Sequence, residues 1–171
     1  MALLSQIQKR YSVRAYQDRL VEEEKVRNVL EAARLAPSAR NLQEWRFVVI
    51  RDEETRRRLV PAANGQVFVG QAPVVIACCA RGTDYVMRGG QKAYAIDVAI
   101  AMSFMTLQAV EEGLGTCWIG SFYEDQVKAV LEIPADVRVV ELLTLGYPQH
   151  QAGPRKRLTL GQIACDERWR F

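Results

Sequence analysis

Gly113-Leu114-Gly115-Thr116-Cys117-Trp118-Ile119-Gly120 sets the order in which helix and strand follow one another at the centre of this chain. Its glycines superficially match a dinucleotide phosphate loop, in which a strand runs into glycines and then into a helix. Here the order is reversed. A long apolar run precedes Gly113, and β-branched and aromatic residues follow at 116–119. Gly113 therefore ends a helix, and the residues after it enter a strand. Its small residues also let backbone N–H groups approach a flat ligand closely.

The preceding run, 92–112, predicts a long central helix. Ala95, Ile96, Val98, Ala99, Ile100, Met102, Phe104, Met105, Leu107 and Val110 go almost all the way round its axis. Such a helix is enclosed, either by its own domain or by a second subunit. Residues 94–110 contain Asp97, Ser103 and Gln108 and fall short of the ~20 apolar residues of a membrane span. No membrane association is expected.

Working outward, Leu3, Leu4 and Ile7 predict a short amphipathic helix. Residues 21–24 open a second, with Val26, Val29, Leu30 and Ala33 on one face and Pro37 as its stop. Residues 45–50 and 73–78 read as strands, the latter apolar throughout and so buried on both faces. Between them, Asp52 can cap a helix through Arg56 and Leu59. Residues 81–91 form the longest polar loop, with Gly82, Gly89 and Gly90, a candidate for contact with substrate. A helix at 124–131, with Val127, Val130 and Leu131 inward, leads to a fourth strand at 137–146. Helices and strands mix without strict alternation, so the expected class is α+β, with a mostly antiparallel central sheet flanked by helices.

The 171 residues suit a single domain spanning 1–171. A tail at 148–171 ends in Trp169-Arg170-Phe171, and a partner subunit is a reasonable place for those aromatic residues. With 49% hydrophobic and 25% charged residues the chain has a globular mix, and its net charge of +3 is too mild to argue for nucleic acid. Cys78, Cys79, Cys117 and Cys165 match no zinc or Cys-x-x-Cys spacing and read as reduced thiols. Nothing resembles a signal peptide, so a cytoplasmic protein is expected. His150 is the only histidine, and no Ser-His-Asp set can be assembled.

Three further segments carry candidate chemistry. Arg10-Tyr11-Ser12-Val13-Arg14 is either a solvated charge cluster or an anion site, since Arg offers a planar fork of donors and Ser a hydroxyl. Pro37-Ser38-Ala39-Arg40-Asn41-Leu42-Gln43 is either a helix-terminating turn or a source of amide donors and acceptors for a ring edge. Arg155-Lys156-Arg157 is either a charged tail or a second contribution to the same anion.

Taken together, these segments resemble the nitroreductase family of FMN-dependent, NAD(P)H-linked oxidoreductases, over about residues 7–163. The resemblance implies the nitroreductase α+β fold and an intertwined homodimer with two FMN sites at its interface. It implies that Arg10, Ser12 and Arg155, joined by Arg157, hold the FMN phosphate, with Tyr11 in the same run. Arg14 would lie near the flavin pyrimidine edge and stabilise the reduced ring. Pro37, Ser38, Asn41 and Gln43 would contact the ring from the partner subunit, and Thr116, Cys117, Trp118, Ile119 and Gly120 would lie beside its central ring. Leu145-Gly146-Tyr147-Pro148 matches the lead-in to the phosphate-binding tail. The chain departs from the family in having Glu44 where a Pro is frequent and Arg40 where a small residue is frequent.

The implied chemistry is a ping-pong transfer, with the flavin as carrier and no protein nucleophile or metal. NADH or NADPH would give hydride, and a small electron-poor acceptor such as a nitroarene or quinone would take it. The competing readings are other flavin chemistry on the same fold (reductive dehalogenation or flavin consumption), a non-catalytic flavin-binding module, and a basic nucleic-acid binder.

Overall fold

The apolar runs assemble into a four-stranded sheet. In a computed structural model describing residues 3–171, the strands are β1 (Trp45–Ile50), β2 (Val74–Ala80), β3 (Gly115–Ile119) and β4 (Arg138–Gly146). Their spatial order is β1-β2-β4-β3, and every neighbouring pair is antiparallel. All of β2 is buried, as its uninterrupted apolar sequence requires of a central strand. The β2–β4 register slips once. Cys78 stands opposite Glu141 and Cys79 opposite Val139, which leaves Val140 as the extra residue of a bulge.

Helices cover both faces. On one, α2 (Glu23–Arg34) and α5 (Ala93–Glu111) enclose a core that includes Val26, Val29, Ile76, Met102, Met105 and Leu143. On the other, α3 (Glu53–Ala62), α4 (Phe68–Gln71) and α6 (Glu124–Leu131) pack over Leu59, Val69, Val75, Val127 and Leu142. Local signals set the ends of these elements. The Asp52 carboxylate accepts the Thr55 N–H at 2.7 Å and caps α3. Gly113, at φ 74°, ends α5 in the left-handed conformation.

One element goes beyond the sequence expectation: the four-residue α4, too short for a helical period. In α6 Val127 is buried, and Val130 and Leu131 are half-buried and pack against the same core, inward as expected. Within this chain α5 is not enclosed all round: Ile96 and Phe104 are each 40% exposed on its outer side. By length and composition α5 could cross a membrane, but half of it is buried within this fold. Its apolar sequence is thus partly explained by the core it fills.

The two ends of the chain lie outside the core. The helix α1 (Ser5–Lys9) buries no residue, and Leu3, Leu4 and Ile7 point outward. From residue 149 onward every residue is exposed, including Leu158, Ile163, Trp169 and Phe171. The tail holds one short helix, α7 (Leu160–Ile163), started by a capping box between Thr159 and Gln162.

Candidate functional site

The site is built along β3, the last strand of the sheet. The basic run lies beside it, with a parallel bridge between Ser12 and Thr116 and a 2.9 Å hydrogen bond from the Val13 N–H to the Thr116 carbonyl. Gly115 makes this approach possible. A Cβ there would stand 2.3 Å from Val13 Cγ2 and 2.9 Å from Pro148 Cγ. Val13 is buried, so its neighbours Ser12 and Arg14 are turned outward. The Tyr16 hydroxyl locks the segment from beneath, donating to the Val13 carbonyl at 2.9 Å and sharing a 2.6 Å bond with Thr144. Burial pushes the Tyr16 phenol well above its ordinary pKa, so it stays neutral in this role.

Above this strand lies a cavity of about 320 Å³ lined by Arg10, Ser12, Ser103, Thr106, Leu107 and Trp118. The Trp118 indole N–H donates to Thr106 Oγ1 at 2.9 Å, and the Thr106 hydroxyl donates to the Met102 carbonyl at 2.7 Å. The wall formed by Trp118 is thereby fixed to α5. Cys117 and Ile119 alternate inward and are buried. Burial pushes the Cys117 thiol up, opposed by the charges of Arg14 and Arg10. Gly120 is exposed at the far end of the strand.

A second cavity, of about 430 Å³, shares Arg10 and Leu107 with the first and adds Arg155 and Arg157. The Arg155 guanidinium donates to the carbonyls of Gln8 and Arg10, at the C-terminal end of α1. Tyr11 donates its hydroxyl proton to the His150 carbonyl, and Arg157 donates to the Lys156 carbonyl at 2.8 Å. The tail is thus tied back onto the basic run within one chain. Among the described residues, no carboxylate forms an ion pair with Arg10, Arg14, Arg155 or Arg157. A cluster of cations without counter-charge, joined by a hydroxyl, is chemically fitted to an anion such as phosphate.

The 37–43 segment is elsewhere. Pro37, Asn41 and Gln43 are exposed. Its Ala39 N–H donates to both oxygens of the buried Asp97 on α5, at 3.1 Å each. Ser38 Oγ accepts the Gln43 N–H at 3.1 Å, and Gln43 Nε2 donates to Asn41 Oδ1 at 3.1 Å. Arg40, Asn41 and Gln43 adopt φ of 53°, 56° and 51°. Left-handed backbone at non-glycine residues is costly and concentrates at functional sites. Asp97 and Thr106 are nine residues apart on α5, about 14 Å along the axis at about 1.5 Å per residue. The chain therefore brings Arg10, Ser12, Trp118, Arg155 and Arg157 together, with Arg14 further along the same run, and leaves Ser38, Asn41 and Gln43 apart from them.

Sequence reasoning did not assign Ser103, Thr106 or Asp97 to the site. The available signal was that each is a polar residue inside an apolar helix. It also left the position of Glu44 open. Glu44 is 7% exposed, and its Oε2 has no hydrogen-bond partner. Burial, then the charges of Asp97 and Asp84, push its carboxyl above the usual carboxylate range. With the folded pKa raised above 4.5, the neutral form is favoured in the fold. Stability is then lost as pH rises through the folded pKa. Glu44→Gln should match the parent in thermal unfolding near pH 4 and exceed it at pH 7–8. Parallel curves across that range would show that Glu44 carries no such penalty.

Known proteins resemble this chain over most of its length. The model of the "Nitroreductase family" matches residues 7–71 and 63–147, so it contains the basic run, the 37–43 segment and β3. The chain is 34% identical over 193 residues to a protein of Thermus thermophilus named "NADH dehydrogenase", covering 95% of this chain and 93% of the relative. It is 28% identical over 169 residues to "FMN reductase [NAD(P)H]" of Bacillus subtilis, covering 86% of this chain and 66% of that protein. The crystal structure of a nitroreductase family protein from Clostridium difficile 630 superposes with a TM-score of 0.88 at 32% identity, covering 99% of this chain and all of that one. Sequence and fold likeness both extend over nearly the whole length, and the chain belongs to the nitroreductase family.

Proposed function

We propose that the chain is a flavin-dependent oxidoreductase that binds FMN, takes electrons from NADH or NADPH and passes them to electron-poor acceptors such as nitroarenes or quinones. The observation that carries this reading is the uncompensated cluster of Arg10, Arg155 and Arg157 around adjoining clefts, one of them walled by Trp118. The residues fit FMN. Arg10, Ser12, Arg155 and Arg157 would hold the phosphate, and the edge from Thr116 to Gly120 would flank the ring. Bound FMN supplies the two-electron chemistry. Arg14 would offset negative charge on the ring, and Ser103 and Thr106 would offer hydroxyls along the cleft. The names of relatives, FMN reductase and NADH dehydrogenase among them, support the same chemistry.

A homodimer completes the reading. The outer side of α5 with Ile96 and Phe104, the outward Leu3, Leu4 and Ile7, and the exposed apolar residues of the tail form surfaces that a second copy would cover. The partner's 37–43 segment would then bring Ser38, Asn41 and Gln43 to the ring edge that this protomer's own segment does not reach. The 148–171 tail, anchored to its own chain through Pro148, His150 and Arg155, would lay its exposed apolar residues on the partner subunit.

The test is a visible spectrum of the purified protein, reconstituted with FMN if colourless, followed by anaerobic addition of each nicotinamide. A yellow sample should bleach and recover its colour when a quinone or nitroarene is added. Failure to take up FMN would overturn the reading. A yellow sample that neither nicotinamide bleaches would favour a non-catalytic flavin-binding module instead.

A further inference from the structure

Glu141 and Gly120 make a small constellation just past the end of β3. The last β3–β4 pair is Ile119 with Leu142, so the next β4 residue, Glu141, meets Gly120 where β3 has ended. Across β2, Glu141 stands opposite Cys78, and Cys78 belongs to the core beneath α2 and α5. Trp118 packs on that same face. Glu141 therefore projects on the side of the sheet that carries the Trp118 wall of the cavity, two residues along β3 from it. A Cβ on Gly120 would stand 3.1 Å from Glu141 Oε1 and 3.3 Å from Oε2, so a larger residue would crowd the carboxyl. Glu141 Oε2 is buried and has no hydrogen-bond partner.

A charged carboxylate with an enclosed, unpartnered oxygen is costly, and such a group in a native structure calls for an explanation. Packing alone does not supply one, since an apolar or amide side chain of similar length would fill the same space. The absence of a side chain at Gly120 provides one. It leaves only backbone between the carboxyl and whatever lies against the end of β3. We propose that Glu141 is a positioning residue acting electrostatically through Gly120, which sets how readily the electron-carrying ring of this site is reduced. The inference rests on the FMN reading above. Two-electron reduction by a nicotinamide adds a hydride to the ring and leaves the nicotinamide oxidised, so negative charge accumulates on the ring. A neutral Glu141 tolerates that charge, and an ionised one opposes it. Burial raises the Glu141 pKa, which moves the change between the two forms toward neutral pH.

The experiment is the midpoint potential of the FMN-loaded protein from pH 5 to pH 9, for the parent, Glu141→Gln and Glu141→Met. The methionine variant removes the unpartnered oxygen without leaving a void and serves where the glutamine variant folds poorly. The parent should lie nearest both variants at the acid end of the range and fall below them as pH rises. Curves that superimpose over the whole range would overturn the proposal, as would a change confined to thermal unfolding of the flavin-free protein. A parent protein that takes up no FMN reveals itself in its spectrum before any potential is measured, and removes the flavin reading together with this one. A yellow protein with superimposed curves removes only the role of Glu141.

Discussion

Arg10→Ala should weaken FMN binding by about 10- to 100-fold, since a hydrogen bond to a charged group contributes roughly 1.5–3 kcal/mol and each 1.4 kcal/mol is about tenfold. Arg10 is chosen because it borders both cavities and because the tail cation Arg155 is tied to its carbonyl. Its side chain is the shared boundary between the Ser12 end and the Arg155 end of the cluster. Titration of flavin-free protein with FMN measures the effect. Arg10→Lys should fall between the parent and Arg10→Ala, because an ammonium keeps the charge and loses the planar fork. The loss should shrink at high salt, where screening weakens the parent as well. Equal affinity in the parent and Arg10→Ala would place the phosphate somewhere else.

Gly115→Ala should damage the fold and the site together. The new methyl would be 2.3 Å from Val13 and 2.9 Å from Pro148, and both are held in place. Val13 is buried and bonded to Thr116, while the Pro148 carbonyl accepts from Gln17. Overpacking of this kind costs about 1–3 kcal/mol. At about 2–4 °C per kcal/mol for a chain of this size, Tm should fall by roughly 2–12 °C. FMN affinity should fall as well, because the segment pushed off β3 carries Ser12. Gly153→Ala is the control, since nothing lies within 4 Å of a Cβ there. A Gly115→Ala protein with parental Tm and parental FMN affinity would mean that the basic run can shift without consequence.

Much of the fold could be read directly because its signals are local. β1 has the expected bounds, Asp52 caps α3, and Gly113 stops α5. The all-apolar β2 announced its central place. The strand order was not legible, because it depends on pairings between residues far apart in sequence. The exposure of Ile96 and Phe104 was hidden for a related reason. Apolar residues all round a helix say that it is covered, but not by what.

The candidate site divides in the same way. Arg10, Ser12, Arg155 and Arg157 could be singled out because their side chains suit an anion wherever they meet. The place of Ser103 and Thr106 on the cleft wall could not, because it depends on how α5 is rotated against β3. Asn41 is a residue type that tolerates left-handed backbone, but Arg40 and Gln43 give no such sign, so the unusual shape of that turn was invisible. Glu44 was hidden for the same reason, because the charges that act on it, those of Asp97 and Asp84, come from other parts of the chain.

The bond between Val13 and Thr116 has one more consequence. β3 ends the sheet on its side, and an uncovered terminal strand is an open template for another polypeptide. By lying along it, the 10–14 segment withholds that template from intermolecular strand addition. If these residues hold an anion as proposed, whatever loosens the segment from the sheet would open both the anion site and the strand edge at once.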